Sequence, residues 1–136
     1  MALLAMMSMM AIPHQPTEHV RLMACAVQTE ASLLGEWRVP AGMWVAHTAM
    51  NRAEAGWFGP LSETLREDFH GVRHCSQPEP WAISVAIQAL MRTEDKAKGS
   101  LFVLSYDDLK RMGPGGHPVR CFEDGQSGLC FFGTWE

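Results

Sequence analysis

The sequence predicts a mainly α, α+β domain in which helices carry most of the chain and a small antiparallel β element closes it near the C-terminus. Three observations predict this. Between Glu18 and Glu30, and again between Pro40 and Ala55, apolar residues recur three and four positions apart, the spacing of one helix face. Late in the chain, Val119–Phe122 and Leu129–Phe132 are short apolar runs separated by a linker that begins Glu123-Asp124-Gly125-Gln126, the pattern of a hairpin. With 136 residues and 47% hydrophobic side chains, the chain has enough apolar surface for one core and little length for a second.

The elements follow in order. Met1 to Ile12 is apolar and Met-rich but has no Lys or Arg ahead of it and no clear small-residue cleavage site, so it is not a clear signal peptide. It is too short for a bilayer, which needs about 20 residues. Residues 1–16 read as an apolar arm that packs or docks on an assembly partner, or as a degenerate signal, ahead of a single domain over 17–136. Thr17 and Glu18 start a helix, a hydroxyl capping free amides and a carboxylate suiting the dipole. It runs to about Glu30 with Val20, Met23, Ala24 and Val27 on its buried face. Ala31 to Val39 reads as a loop. Pro40 suits a first helical turn, and the second helix ends at Gly56, with Met43, Ala46, Met50 and Ala53 inward and Trp44, His47 and Asn51 on a neighbouring face. A short helix spans Ser62 to Phe69, Gly71 to Pro80 is irregular, and Trp81 to Thr93 is apolar nearly all round, which predicts the central helix. Leu101–Leu104 is a brief β-type run, Tyr106–Met112 a short helix, Gly113–Gly116 a break, and the hairpin follows.

Charge narrows the function classes. Eleven basic residues are scattered along a chain of net charge −4, which offers phosphates no basic face, so nucleic acid is not an expected partner. The four cysteines lack the paired short spacing of zinc ribbons or redox motifs. Cys121 and Cys130 flank the Asp124-Gly125 turn signal and are placed to bridge a hairpin in an oxidising compartment. His70, His74 and Cys75 are metal-type ligands, and a histidine beside a thiol is also a nucleophile-and-base pair, but adjacent residues rarely face each other and ordinary loop residues are the simpler reading. No metal or cofactor is expected.

Glu30 carries the chemistry. A carboxylate on an apolar stripe is costly unless it is paired or held neutral, and desolvation raises its pKa. Such a group is a general acid, which glycoside cleavage needs to protonate the departing sugar oxygen, often beside an aromatic that excludes water; Trp37, Trp44 and Trp81 are available. The alternative is that Glu30 lies in solvent or pairs with a base such as Arg52. Glu36, beside Trp37, is the second candidate acid. Asn51 would either hydrogen-bond an acetamido group or brace a loop, Arg52 would hold that loop, and Trp81 and Tyr106 are candidates to stack on sugar rings.

Glu30-Ala31, Gly35-Glu36, the block Gly42-Met43-Trp44-Val45-Ala46-His47 and Asn51-Arg52, followed in order by Phe69, Lys98–Phe102 and Gly128–Phe132, resemble SleB-type cell-wall hydrolases, the spore-cortex-lytic and phage lytic enzymes. The resemblance covers about residues 20 to 136. It implies a lysozyme-like, mostly helical catalytic domain that cuts the MurNAc–GlcNAc backbone of peptidoglycan as a lytic transglycosylase, acting on the bacterial cell wall. Glu30 would be the acid/base, with Glu36 the other carboxylate and Trp44, Asn51, Phe69 and Tyr106 the substrate contacts. Two departures stand out: Ala31 to Ala41 is longer than the family's link, and Asp68-Phe69-His70 replaces its Gln-Phe-Ser.

A transglycosylase uses one carboxyl group twice, whereas hydrolysis calls for a second carboxylate, for which Glu67, Asp68 and Asp95 are available. The rival expectation is a catalytically inactive wall-binding or virion component of the same fold, which the apolar arm would attach to a larger particle.

Overall fold

The structure is a computed structural model that describes residues 17–57, 59–92, 94–113 and 116–133; the predicted arm over residues 1–16 lies outside them. The first helix, α1, spans Glu18–Ala31. Thr17 caps it as its sequence predicts, Oγ1 accepting from the Val20 amide at 3.3 Å, which satisfies one of the free amides of the first turn. Every residue from Leu22 to Val27 is buried. A helix buried on all sides is the centre of the fold, and that position belongs to α1.

The sequence assigns the centre to the helix from Trp81, and this is corrected. That element, α4 (Pro80–Met91, the fourth α-helix of the described residues), buries Ala82, Val85, Ala86 and Ala89 but leaves Ile87 42% and Met91 79% exposed. A domain this small has room for few fully surrounded helices. Apolar residues on α4 exceed the neighbours available to cover them.

The predicted loop after α1 is instead a six-residue 3-10 strap, Ser32–Trp37, interrupted at Gly35, whose φ of 54° is left-handed. The strap leads directly into α2, Arg38–Ala55. Pro40 sits in the first turn, where its missing amide costs no hydrogen bond. Gly56 closes α2 at φ 77°, as expected of a helix C-terminus. Next come α3, Leu61–Asp68, and a 3-10 turn, His70–His74. Cys75, just past that turn, is disulfide-bonded to Cys25 in the middle of α1, so it is no thiol nucleophile.

The end of α2 anchors the next loop. Asn51 Nδ2 donates to the Ser100 carbonyl at 3.1 Å and to Asp95 at 3.2 Å, and Asp95 accepts from the amides of Ala97 and Gly99 at 2.8 and 2.6 Å. Arg52 forms an ion pair with Asp68, donates to the Leu101 carbonyl, and lies against the rings of both Trp57 and Phe102. The suggestion that Arg52 pairs with Glu30 is thereby corrected: its guanidinium is taken up by Asp68 of α3 and by the Leu101 carbonyl.

That anchored loop delivers β1, Phe102–Ser105, followed by α5, Tyr106–Met112, and by β2, Arg120–Asp124, and β3, Ser127–Phe132. The hairpin forms as predicted, and β1 adds to its other side, giving an antiparallel sheet in the order β1-β3-β2. Cys121 and Cys130 face each other across β2 and β3 and are bonded. Phe122 and Phe131 set the sheet against α2 through Trp44, with ring centroids 6.2 and 5.4 Å from its indole. The result is a mainly α domain with a small antiparallel sheet, and no helix among the described residues is long and apolar enough to cross a membrane.

Candidate active site

Glu30 lies in the last turn of α1, where the helix leaves the core and the strap begins. Three elements meet around it: the strap through Leu33 and Leu34, the β1–α5 junction through Ser105, Tyr106 and Asp107, and the hairpin through Gln126 to Leu129. Together they border a small cleft of about 100 Å³, below the range of sites that take up a whole drug-sized ligand, so it admits one group of a larger substrate.

The Glu30 carboxyl is half-buried and has no hydrogen bond or ion pair among the described residues. Burial, with the Asp108 charge adding to it, pushes it up to about 7. Its place at a helix C-terminus, where the dipole is negative, acts in the same direction. Asp108 is in the opposite condition. Burial alone would raise it, but hydrogen bonds with Ser105 and Arg111 and the Arg111 charge hold it below the ordinary aspartate value. Ser105 and Asp108 form a capping box at the start of α5, which fixes this carboxylate in place. Near neutral pH a carboxyl that still holds its proton in a large share of molecules therefore faces the field of an ionised one, the separation of roles that acid–base chemistry requires. Replacing Asp108 with Asn removes that field, and the Glu30 titration, followed by 13C NMR of the side-chain carboxyl, is expected to move toward lower pH. An unmoved titration would leave burial as the whole cause.

Tyr106 forms the cleft wall. Its hydroxyl donates to Glu123 Oε2 at 2.8 Å, and this bond to a carboxylate keeps the phenol protonated above its usual value. The ring lies flat over Gly128, where an added Cβ would come within 2.4 Å of it. Gly128→Ala is thus expected to displace Tyr106, lowering stability by about 1–3 kcal/mol. Thermal melts of that variant and of Gly128→Ala with Tyr106→Phe should show the loss in both. A loss absent from the first variant would mean that the ring moves freely.

Of the predicted site residues, the fold brings Glu30 and Tyr106 into one cleft. Glu36 is exposed on the strap and does not line the cleft. Trp44 packs against Phe122 and Phe131, Phe69 is only 3% exposed in the core, and Asn51 braces the 95–100 loop. Neither Asp68, held by Arg52, nor Asp95, nor exposed Glu67 lines the cleft. Asp107 and Asp108 were not anticipated as site residues. Ser105-x-x-Asp108 is legible as a helix start, but nothing in the sequence places that start opposite Glu30.

No group of three or more possible metal ligands occurs among the described residues. His47 is buried on α2, and burial holds its imidazole below the usual value, so it is uncharged at neutral pH. Compared with family models, curated proteins and solved structures, the chain matches none.

Proposed function

We propose that this protein cleaves the glycan backbone of peptidoglycan, with Glu30 as the acid that protonates the leaving oxygen. One observation carries the reading: a carboxyl group in a cleft, pushed up to about 7 and without a partner among the described residues. A carboxyl kept only for structure would be paired or solvated. The motif resemblance to SleB-type hydrolases points to the same residue.

The reaction needs no second nucleophile from the protein. Glu30 gives its proton to the bridging oxygen as the bond from C1 of the muramoyl unit breaks, and the charge growing on the ring is stabilised by the negative field of Asp108. The Glu30 carboxylate then takes the proton of the same unit's C6 hydroxyl, whose oxygen closes onto C1. A 1,6-anhydro end results, and Glu30 is protonated again. The ionised Asp108 favours one second reading, hydrolysis through two carboxylates with water as the nucleophile.

The two disulfides, Cys25–Cys75 and Cys121–Cys130, suit an oxidising, extracytoplasmic place of action, where the wall is found. Purified protein incubated with peptidoglycan is expected to clear the suspension and release muropeptides with anhydro ends, read by mass spectrometry. Reducing ends would select hydrolysis. Intact glycan after incubation would reject the enzyme and leave a wall-binding or virion component of the same fold.

A further inference from the structure

A second hollow, open to solvent and of about 330 Å³, is lined by Trp37, Arg120, Cys121, Phe122 and Glu123. Trp37, the last residue of the strap, leaves 42% of its surface exposed, although its ring is only 6.3 Å from that of Phe122. Arg120 lies over the buried Phe122 ring, its guanidinium carbon 4.6 Å from the centroid, and has no carboxylate partner among the described residues. Arg21, Arg52, Arg66 and Arg111 are ion-paired; of the arginines that are not, Arg120 is the one that lines this hollow beside an exposed indole. Glu123, the acid nearest in sequence, already accepts from the Tyr106 hydroxyl.

That hydrogen bond is also the joint between the two hollows, since Tyr106 lines the Glu30 cleft and Glu123 lines its neighbour. The strap serves both, through Leu33 and Leu34 on one side and Trp37 on the other. A single extended chain can therefore occupy both. We propose that the Trp37–Arg120 hollow binds a carboxylate-bearing sugar unit of the chain whose neighbouring bond lies at Glu30. The indole face takes the apolar face of the sugar ring. The guanidinium, resting over the Phe122 ring, presents its fork to the carboxylate. This rests on the glycan-cleaving reading above.

Two groups of peptidoglycan supply that carboxylate, the lactyl group of a muramoyl unit stripped of its peptide and the acidic residues of an attached stem peptide. The full chain with Glu30→Gln, which keeps substrate intact, is titrated calorimetrically with three tetrasaccharides: peptide-free muramoyl glycan, the same glycan bearing stems, and neutral chitotetraose. The carboxylate-bearing glycans are expected to bind about tenfold more tightly than chitotetraose, and whichever of them binds tighter identifies the source. Adding Arg120→Gln should erase that advantage without changing chitotetraose affinity, while Trp37→Ala should weaken all three. Arg120→Gln with every affinity unchanged overturns the proposal and leaves the glycan reading standing. Failure of all three sugars to bind the Glu30→Gln chain overturns both.

Discussion

Glu30→Gln is expected to abolish glycan cleavage, by about 10²–10⁴-fold, and at the same time to make the protein more stable above neutral pH. The sign follows from linkage. The Glu30 carboxyl titrates at about 7 in the folded protein and near the ordinary glutamate value when unfolded, so the folded state holds the proton more tightly. Stability from this group is complete below the unfolded value and is lost as pH rises through that value and on through 7. The loss is on the order of 3 kcal/mol by pH 8. Gln is neutral at every pH and avoids it. The variant should therefore melt several degrees above wild type at pH 8 and at nearly the same temperature at pH 4. A difference in melting temperature that does not change with pH would show that Glu30 is not held neutral by the fold. If Glu30 is the proposed acid, the same titration limits cleavage, because the acid form empties above pH 7. Rates of the wild type should fall on that side, which turbidity assays across pH 5 to 9 would read.

Removing the Cys25–Cys75 bond, as Cys25→Ala with Cys75→Ala, is expected to cost about 4 kcal/mol of stability, since its sequence separation of 50 closes a long loop in the unfolded chain. Removing Cys121–Cys130, separated by 9, should cost less, about 3 kcal/mol. The larger effect also falls on the central helix: α1 is tied by this bond to the segment after α3, and Glu30 stands at its far end. For a chain of this size the first loss lowers the melting temperature by about 15 °C. Melts of the two double variants and of reduced wild type should rank in that order. Equal shifts would mean that the unfolded chain is already compact around α1.

Much of the fold was legible because it is written in local chemistry. Thr17 caps α1, Gly56 ends α2, Ser105 begins α5, and Gly125 turns the hairpin, each through hydrogen bonds or backbone angles that its immediate neighbours set. The strap was not legible, because a 3-10 path through Gly35 is settled by what it packs on: an added Cβ there would strike the Asp124 side chain on β2. Periodicity also failed to rank α1 against α4. It reports which residues avoid water, not which ones find enough neighbours to do so.

The candidate site divides in the same way. The sequence alone determined that a carboxyl at Glu30 interrupts an apolar stripe, and that such a group must be paired or neutral, because the cost of burying charge belongs to the residue wherever the chain folds. Only the tertiary structure decided which of these holds. It assigned Arg52 to Asp68, Trp44 and Phe69 to the core, and Asn51 to a loop, and it carried Tyr106 and Asp108 across to Glu30 on α5, behind the strand β1 that pairs with β3. Those juxtapositions arise from contacts distant in sequence, and the energy of each depends on all the others being formed, which no local pattern records.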